Sequence, residues 1–168
     1  MVDPMGLRER KRLATMRRIQ EAALDLFDEH GYGQVTIERI AERAEVSAST
    51  VYRYFGTKEQ LVLSDEYDPM AFEFIARELR SAPFLEAVRL ATMTVLQQQM
   101  GADREHTMRR LRYIFSEPTI LAGMLAETEE MIQLAVELLA PQLGRSADDL
   151  EVQVAVSALI HAVMTTIL

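Results

Sequence analysis

An all-α fold is predicted by two features of this 168-residue sequence. Strong helix formers are common along the whole chain, whereas helix breakers are rare, with 7 Gly and 5 Pro. Apolar residues recur at intervals of three and four, and no segment alternates between apolar and polar residues as a strand does. The length fits one compact domain, or a small module joined to a modest helical body.

The first strong helical period starts near residue 15. Ile19, Ala23 and Phe27 belong to one apolar stripe, and Gly31 is suited to end the helix as a left-handed cap. The period predicts a first helix from Thr15 to about His30. The residues before it, 1–14, carry charges but no clear period, and they predict an extension that frays into the helix.

Three short helices are predicted next. Thr36 is a suitable cap for the second, and Ser47 for the third, which spans Ala48 to Phe55 and stops at Gly56. A fourth helix begins at the capping-box pattern Thr57-Lys58-Glu59-Gln60. Four helices therefore fit into about the first 65 residues.

Further helices fill the rest of the chain, and the last of them runs from Leu150 to Leu168. It is apolar around most of its circumference, which is more surface than one short neighbour would bury, so it is predicted to pair with another helix. The residues expected at such a dimer interface are Val152, Val156, Leu159, Ile160, Val163 and Ile167.

Composition excludes several classes of protein. The absence of cysteine removes disulfides, thiolate nucleophiles and Cys-ligated metals, and it favours a reducing compartment, so the cytoplasm is expected. No apolar run approaches the roughly 20 residues that span a bilayer. The three histidines lie far apart without metal-ligand spacing, and no metal or other cofactor is expected.

Charge is divided unevenly along the chain. The net charge is −8, yet residues 1–60 hold 10 basic and 10 acidic side chains, so the excess of acid lies entirely in the later part. Residues 1–18 alone carry six basic groups against two acidic ones. A cationic N-terminal part ahead of an anionic body is compatible with a nucleic-acid-binding module.

The second and third helices fit a helix-turn-helix, in which the second of two short helices enters the DNA major groove. Ser49, Thr50 and Arg53 carry groups that can read base edges, while Tyr52, Tyr54 and Lys58 suit phosphate oxygens. Val51 and Phe55 are expected to face the core. The candidate DNA-binding residues are Thr36, Ser47, Ala48, Ser49, Thr50, Tyr52, Arg53, Tyr54 and Lys58.

Over about 45 residues, from Arg17 to Leu61, the sequence resembles the DNA-binding domain of TetR-family transcriptional regulators. The resemblance is closest in Thr36-Ile37-Glu38-Arg39-Ile40-Ala41 and in the run from Val46 to Leu61, VSASTVYRYFGTKEQL. It implies that Thr50, Tyr52 and Arg53 face the groove, that Tyr54 and Lys58 hold phosphates, and that Thr36 anchors the second helix.

The resemblance also implies an architecture and a mode of action. A three-helix DNA-binding domain at 1–64 is expected to join, through a connecting helix, a helical ligand-binding and dimerisation domain at 65–168. Family members are typically homodimeric repressors that a small molecule releases from a palindromic operator. They usually end with two interface helices, so a final helix is expected to be missing from this chain.

The later part resembles, more loosely, TetR regulators described as binding acyl-CoA-like ligands. Flexible methionines suit an apolar ligand because they repack easily, and an arginine suits its phosphates. The candidate ligand residues are Met93, Met100, Met108, Arg112, Phe115, Met124 and Met131. Arg109, Arg110 and Arg112 are expected more simply to form surface pairs with Glu105 or Glu117.

One alternative from another class stays open at the level of sequence. A helical ligand carrier or protein-interaction module without DNA affinity would have the same periodicity. An enzyme is not expected. The carboxylates of Glu127, Glu129 and Glu130 superficially resemble a catalytic pair, but they lack a histidine or a glycine loop beside them, so a solvated helix face is expected.

Overall fold

The computed structural model describes residues 6–64 and 104–167, together with 86, 89 and 93, and for 163–167 it describes the backbone alone. These residues form helices and short turns, and no strand occurs among them. Contacts divide the chain into a first unit, Met1–Asp68 with Met108–Ile120, and a second unit, Pro69–Thr107 with Leu121–Leu168.

Helix α1, Leu7–His30, is the longest element of the first unit. Ile19, Ala23 and Phe27 are fully buried along it, as their spacing predicts. The helix ends at Gly31, whose φ of 81° lies in the left-handed region and whose N–H bonds to the Phe27 carbonyl at 2.8 Å.

The start of α1 differs from the prediction. The helix begins at Leu7 and not at Thr15, so most of the expected fraying extension is helical. Residues 7–14 are mainly strong helix formers, and Glu9 pairs with Arg12 at 2.7 Å across one turn. Propensity and local pairing thus continue the helix where the apolar period is absent.

The helix-turn-helix follows a short 3₁₀ turn at Tyr32–Gln34. Helix α2 spans Ile37–Arg43 and helix α3 spans Ala48–Phe55. The predicted caps are confirmed, because the Thr36 hydroxyl accepts the Arg39 N–H at 3.4 Å and the Ser47 hydroxyl accepts the Thr50 N–H at 3.2 Å.

The turn between these helices depends on Glu45, which adopts a left-handed φ of 53°. The next N–H, of Val46, then returns to the Ala41 carbonyl at 2.9 Å and closes the end of α2. A glycine or asparagine is usual at such a position, so the sequence gives no local signal for this turn.

Helix α4, Gln60–Leu63, is short, and its last turn is held by side chains from other elements. Gln20 donates to the Leu61 carbonyl at 3.3 Å and to the Ser64 carbonyl at 2.6 Å. Arg110 donates to the Val62 and Leu63 carbonyls, both at 2.7 Å. These bonds satisfy carbonyls that a helix end otherwise leaves without partners.

Arg110 belongs to helix α5, Arg104–Ser116, whose residues from Met108 onward lie in the first unit. The arginines of α5 do not form the expected pairs with Glu105 or Glu117. Arg109 binds Asp25 at 2.7 Å and Asp28 at 2.8 Å, and Arg112 also binds Asp28. Glu105 and Glu117 were predicted as partners because they are near these arginines in sequence. Packing against α1 brings the carboxylates of Asp25 and Asp28 closer.

The second unit contains most of α6, Pro118–Leu139, then a 3₁₀ turn at Pro141–Leu143 and helix α7, Leu150–Ile167. Its core is one apolar cluster between α6 and α7. The buried members are Ile132, Val136, Leu139, Ala140, Val152 and Val156, with Ile160 packed against them.

Because of this cluster, α7 has less apolar surface for a dimer interface than the sequence predicts. Val152 and Val156 are 4% and 1% exposed within a single chain, because α6 covers them, so little of either side chain remains for a partner. Leu159 and Ile160 are half-buried. The side chains of Val163 and Ile167 lie outside the described residues.

Candidate nucleic-acid interface

Helix α3 has one buried face and one exposed face. Val51 and Phe55, one turn apart, are 0% and 5% exposed, which fixes the rotation of the helix. Ser49, Tyr52 and Arg53 then share the opposite face and are exposed. A short helix held by two apolar residues, with polar groups turned outward, is the form that fits a major groove.

Hydroxyl groups cluster at the start of α3. The Ser47 hydroxyl lies 2.9 Å from the Ser49 hydroxyl and 2.8 Å from that of Thr50, in addition to accepting the Thr50 N–H. Ala48 stands among them, half-buried and without a polar side chain. The cluster fixes these side chains, so the donors and acceptors at this end of α3 are ordered before any partner binds.

Aromatic rings flank the exposed face of α3. Tyr52 is 49% exposed, and the Arg53 guanidinium carbon lies 5.1 Å from the centre of the half-buried Tyr54 ring. A cation held over a ring loses part of its rotational freedom in advance. The arrangement therefore presents the Arg53 charge on the exposed face of α3 at reduced entropic cost.

Lys58 lies just before α4 and is half-buried against the 3₁₀ turn. Its ammonium donates to the Tyr32 carbonyl and lies 4.0 Å from the centre of the Tyr32 ring and 5.5 Å from that of Phe27. Burial lowers the pKa of Lys58 from its usual value. Because an ammonium has three donors, this contact leaves two for another acceptor.

Tyr32 supports Lys58, a role that sequence reasoning missed. The Tyr32 hydroxyl donates to Glu59 at 3.0 Å, and its ring meets that of Phe27 edge to face at 5.0 Å. Burial and the Glu59 carboxylate raise the pKa of Tyr32 well above its usual value, so the phenol keeps its proton. No feature of the sequence around Gly31 and Gly33 indicated this contact.

The residues predicted for a ligand site are distributed between the units. Met108, Arg112 and Phe115 lie on one exposed face of α5 in the first unit, where Arg112 binds Asp28. Met124 and Met131 are half-buried on α6, and Met93 is exposed; these three belong to the second unit. Met100 lies outside the described residues.

The described part of the chain holds neither a metal-binding cluster nor a membrane-spanning helix. No group of three His, Cys, Asp or Glu side chains with metal-binding geometry occurs there. None of the helices described is both long and apolar enough to cross a membrane.

Two protein families match the sequence. Residues 19–64 match the bacterial regulatory proteins of the tetR family, and residues 82–168 match the MftR C-terminal domain. The second match alone covers more than half of the chain.

Individual relatives agree with these matches. The transcriptional regulator TcmR of Streptomyces glaucescens is 32% identical over 151 residues, which are 86% of this chain and 67% of that protein. The regulatory protein RaaS of Mycobacterium tuberculosis is 41% identical over 70 residues, 42% of this chain and 30% of its own length.

A similar fold is seen in NalD of Pseudomonas aeruginosa, described as the secondary repressor of the MexAB-OprM multidrug efflux pump. That structure has a TM-score of 0.59 and 19% identity, over 92% of this chain and 82% of the NalD chain. The likeness to NalD shows the fold, and the sequence relationships point to helix-turn-helix regulators rather than to a ligand carrier without DNA affinity.

Proposed function

The chain belongs to the TetR family of bacterial regulatory proteins, and from this premise we propose that it is a homodimeric repressor that a small molecule releases from a palindromic operator. TetR regulators are DNA-binding, dimeric and not enzymes, and this chain is a transcriptional regulator of that kind.

The exposed face of α3 is the observation that carries the proposal. Burial of Val51 and Phe55 turns Ser49, Tyr52 and Arg53 outward on a helix of about two turns. The major groove admits one helix, and its base edges offer donors, acceptors and thymine methyl groups. Arginine and hydroxyl side chains complement the donors and acceptors among these groups.

Each candidate residue has a proposed role in the complex. Ser49, Thr50 and Arg53 read base edges, with Tyr52 at the groove, and Ser47 and Ala48 bring the start of α3 close to the DNA. Tyr54 and Lys58 bind phosphates on either side. Thr36 holds the first turn of α2 through its bond to the Arg39 N–H.

Lys58 is well placed for a phosphate because it is already held in position. Its contact with the Tyr32 carbonyl fixes the ammonium, and two donors remain. A phosphate would also favour the charged form of an amine whose pKa burial lowers.

Symmetry follows from the dimer. Two copies of α3 related by a two-fold axis would enter successive major grooves about 34–36 Å apart, which requires an inverted repeat. A ligand that favours another dimer spacing would shift the population away from the DNA-competent form.

The proposed ligand is small and apolar or acyl-like, and it binds in the region from 65 to 168, which also provides dimer contacts. Met93, Met124 and Met131, all of the second unit, are proposed to supply an adaptable apolar lining. The other candidates are Met100 and, in the first unit, Met108, Arg112 and Phe115, where Arg112 already binds Asp28. A regulator of this kind would act in the cytoplasm.

Selection from a random duplex library at about 150 mM salt tests the proposal. We expect enrichment of an inverted repeat that the protein binds at least about a thousandfold more tightly than a scrambled duplex, measured by fluorescence anisotropy. A dimeric sample that enriches no sequence would contradict sequence-specific regulation.

The variant Arg53→Ala tests the role of α3 in the same assay. Loss of one base contact should weaken operator binding by about 1–3 kcal/mol and relax the preference at one position of each half-site. Arg104→Ala, which removes an exposed charge from the first turn of α5, is the matched control and should leave both unchanged. Equal affinities for the two variants would exclude Arg53 as a base contact.

A further inference from the structure

A row of basic side chains runs along the beginning of α1. Arg8, Lys11 and Arg18 are exposed, with Thr15 between them, and their spacings of three, four and three residues place all four on one face. This row is called the α1 cationic stripe. At about 1.5 Å per residue it is roughly 15 Å long, which is several phosphate spacings along a duplex.

The charges of the stripe are not neutralised within the described part of the chain. Other basic residues of α1 are paired, since Arg12 binds Glu9 at 2.7 Å and Arg17 binds Glu21 at 2.9 Å. No described carboxylate forms an ion pair with Arg8, Lys11 or Arg18. Three like charges therefore lie together on one face, an arrangement that repels itself until an anion binds.

The stripe lies on the side of α1 that meets the helix-turn-helix. Glu29 follows Lys11 by 18 residues, roughly five helical turns, so the two residues point the same way. Glu29 binds Arg43 at the end of α2 through two bonds of 2.8 and 3.1 Å. Asp28, rotated by about 100°, faces α5 instead.

We infer that the α1 cationic stripe binds backbone phosphates of duplex DNA flanking the half-site that α3 reads, an inference that rests on the proposed DNA-binding function. The stripe and α3 both belong to the first unit, and the stripe is on the α2 side of α1. Because α1 is helical from Leu7, the charges form a preordered row, which binds at a lower entropic cost than a flexible arm.

Charge complementarity selects DNA as the partner. Duplex DNA carries one negative charge per about 1.7 Å of its axis, and a basic row gains affinity by releasing its condensed counterions. Residues 61–168 account for the whole net charge of −8, so they disfavour other contacts with the same polyanion.

The salt dependence of operator binding tests this inference. The variant Arg8→Gln, Lys11→Gln, Arg18→Gln keeps helix propensity and exposure while it removes three charges per protomer. If all three bind phosphates, the slope of log K against log salt should become shallower by about 2.7 per protomer, or about 5 for the dimer. The duplex used is the operator obtained by selection, with at least one helical turn of flanking DNA.

A matched triple variant controls for net charge. Arg89→Gln, Arg104→Gln, Arg145→Gln removes the same number of exposed charges from residues of the second unit. Its slope of log K against log salt should stay within about 1 of the slope for the unmodified protein. If both triple variants change the slope equally, the effect comes from net charge and the inference is wrong.

Trimming the flanking DNA locates the contact. On a duplex cut at the edges of the half-sites, the unmodified protein should bind with the slope of the stripe variant. Operator binding by the unmodified protein, with an unchanged slope for the stripe variant on the long duplex, would overturn this inference alone. Failure of the unmodified protein to bind any sequence specifically would overturn the proposed function, and the inference with it.

Discussion

Asp28 accepts hydrogen bonds from three side chains of α5. Tyr113 donates to one carboxylate oxygen at 2.6 Å, Arg112 binds the same oxygen, and Arg109 binds the other. Partial burial by itself would raise the pKa of Asp28, but the bonds from Tyr113 and Arg109 and the two positive charges outweigh it and lower the pKa. Burial, followed by the hydrogen bond to Asp28, raises the pKa of Tyr113 to about 12.

This geometry predicts how acid affects stability. A carboxylate whose pKa is lowered by folding stabilises the native state fully above its unfolded pKa of about 3.9, and the contribution is lost as the pH falls through the folded value. Asp28→Asn should therefore lower the free energy of unfolding by about 1–2 kcal/mol at pH 7, allowing for solvent screening. The difference from the unmodified protein should shrink as the pH falls below about 4, in urea unfolding followed by circular dichroism.

Asp25→Asn provides the comparison, because Asp25 accepts one bond from Arg109 and none from Tyr113. It should lower the free energy of unfolding at pH 7 clearly less than Asp28→Asn does. Equal costs for the two variants would mean that Tyr113 and Arg112 add nothing to the cluster.

Single residues were predictable from the sequence where their roles are local. Thr36 and Ser47 act on N–H groups three residues away, so the capping pattern was sufficient. Tyr32 and Asp28 act on residues 26 to 85 positions distant, and no local pattern encodes such partners.

Among the elements, α4 depends most on its neighbours. It has four residues, too few for a helix to be stable alone, and Gln20 and Arg110 bind the carbonyls of its last turn and of Ser64. Lys58 lies just before its first turn, so whatever holds α4 also holds the proposed phosphate contact.

Arg110→Met is expected to loosen this element. The buried alkyl chain is largely kept, but the Val62 and Leu63 carbonyls lose charge-assisted bonds of 2.7 Å, which should cost roughly 2–3 kcal/mol in the free energy of unfolding. Operator affinity should fall as well, measured by anisotropy at a temperature where the variant stays folded.

Arg104→Met on the same helix is the control, since Arg104 is exposed in its first turn. It should change neither the free energy of unfolding nor the operator affinity. A stable Arg110→Met protein with full operator affinity would show that α4 does not need this support.

Elements with a clear apolar period were predicted well and those without one were not. The bounds of α3 and the end of α1 follow from the positions of Ser47, Gly56 and Gly31. The start of α1 and the left-handed turn at Glu45 depend on ion pairing and on tertiary packing, which apolar spacing does not report.

The whole molecule is proposed to function as a dimer, and α7 shows which surface is available for it. Its inner face is covered by α6 in the same chain, whereas Leu150 and Val154 are 71% and 59% exposed. The apolar circumference of α7 was predicted from the sequence, but the division between core and outer surface needed the position of α6.

Val154→Glu should convert the dimer to a monomer, because it places a charge on the exposed apolar face without entering the core. Sedimentation equilibrium measures the change. Operator affinity should fall as well, because a monomer contacts only one half-site. Val152→Ala is the contrasting variant: it should lower the melting temperature through a core cavity and leave the dimer intact. A dimeric Val154→Glu protein would place the interface elsewhere.

The discontinuity of the first unit has a consequence for how the protein is made. Its helix-turn-helix emerges early from the ribosome, but the donors for Asp28 belong to residues 108–120, as does Arg110, which binds the end of α4. These contacts bring together residues about fifty to eighty positions apart. Closing so long a stretch of chain has an entropic cost that local helices avoid. During synthesis, the nascent DNA-binding unit thus remains incomplete until the polypeptide has grown past Tyr113.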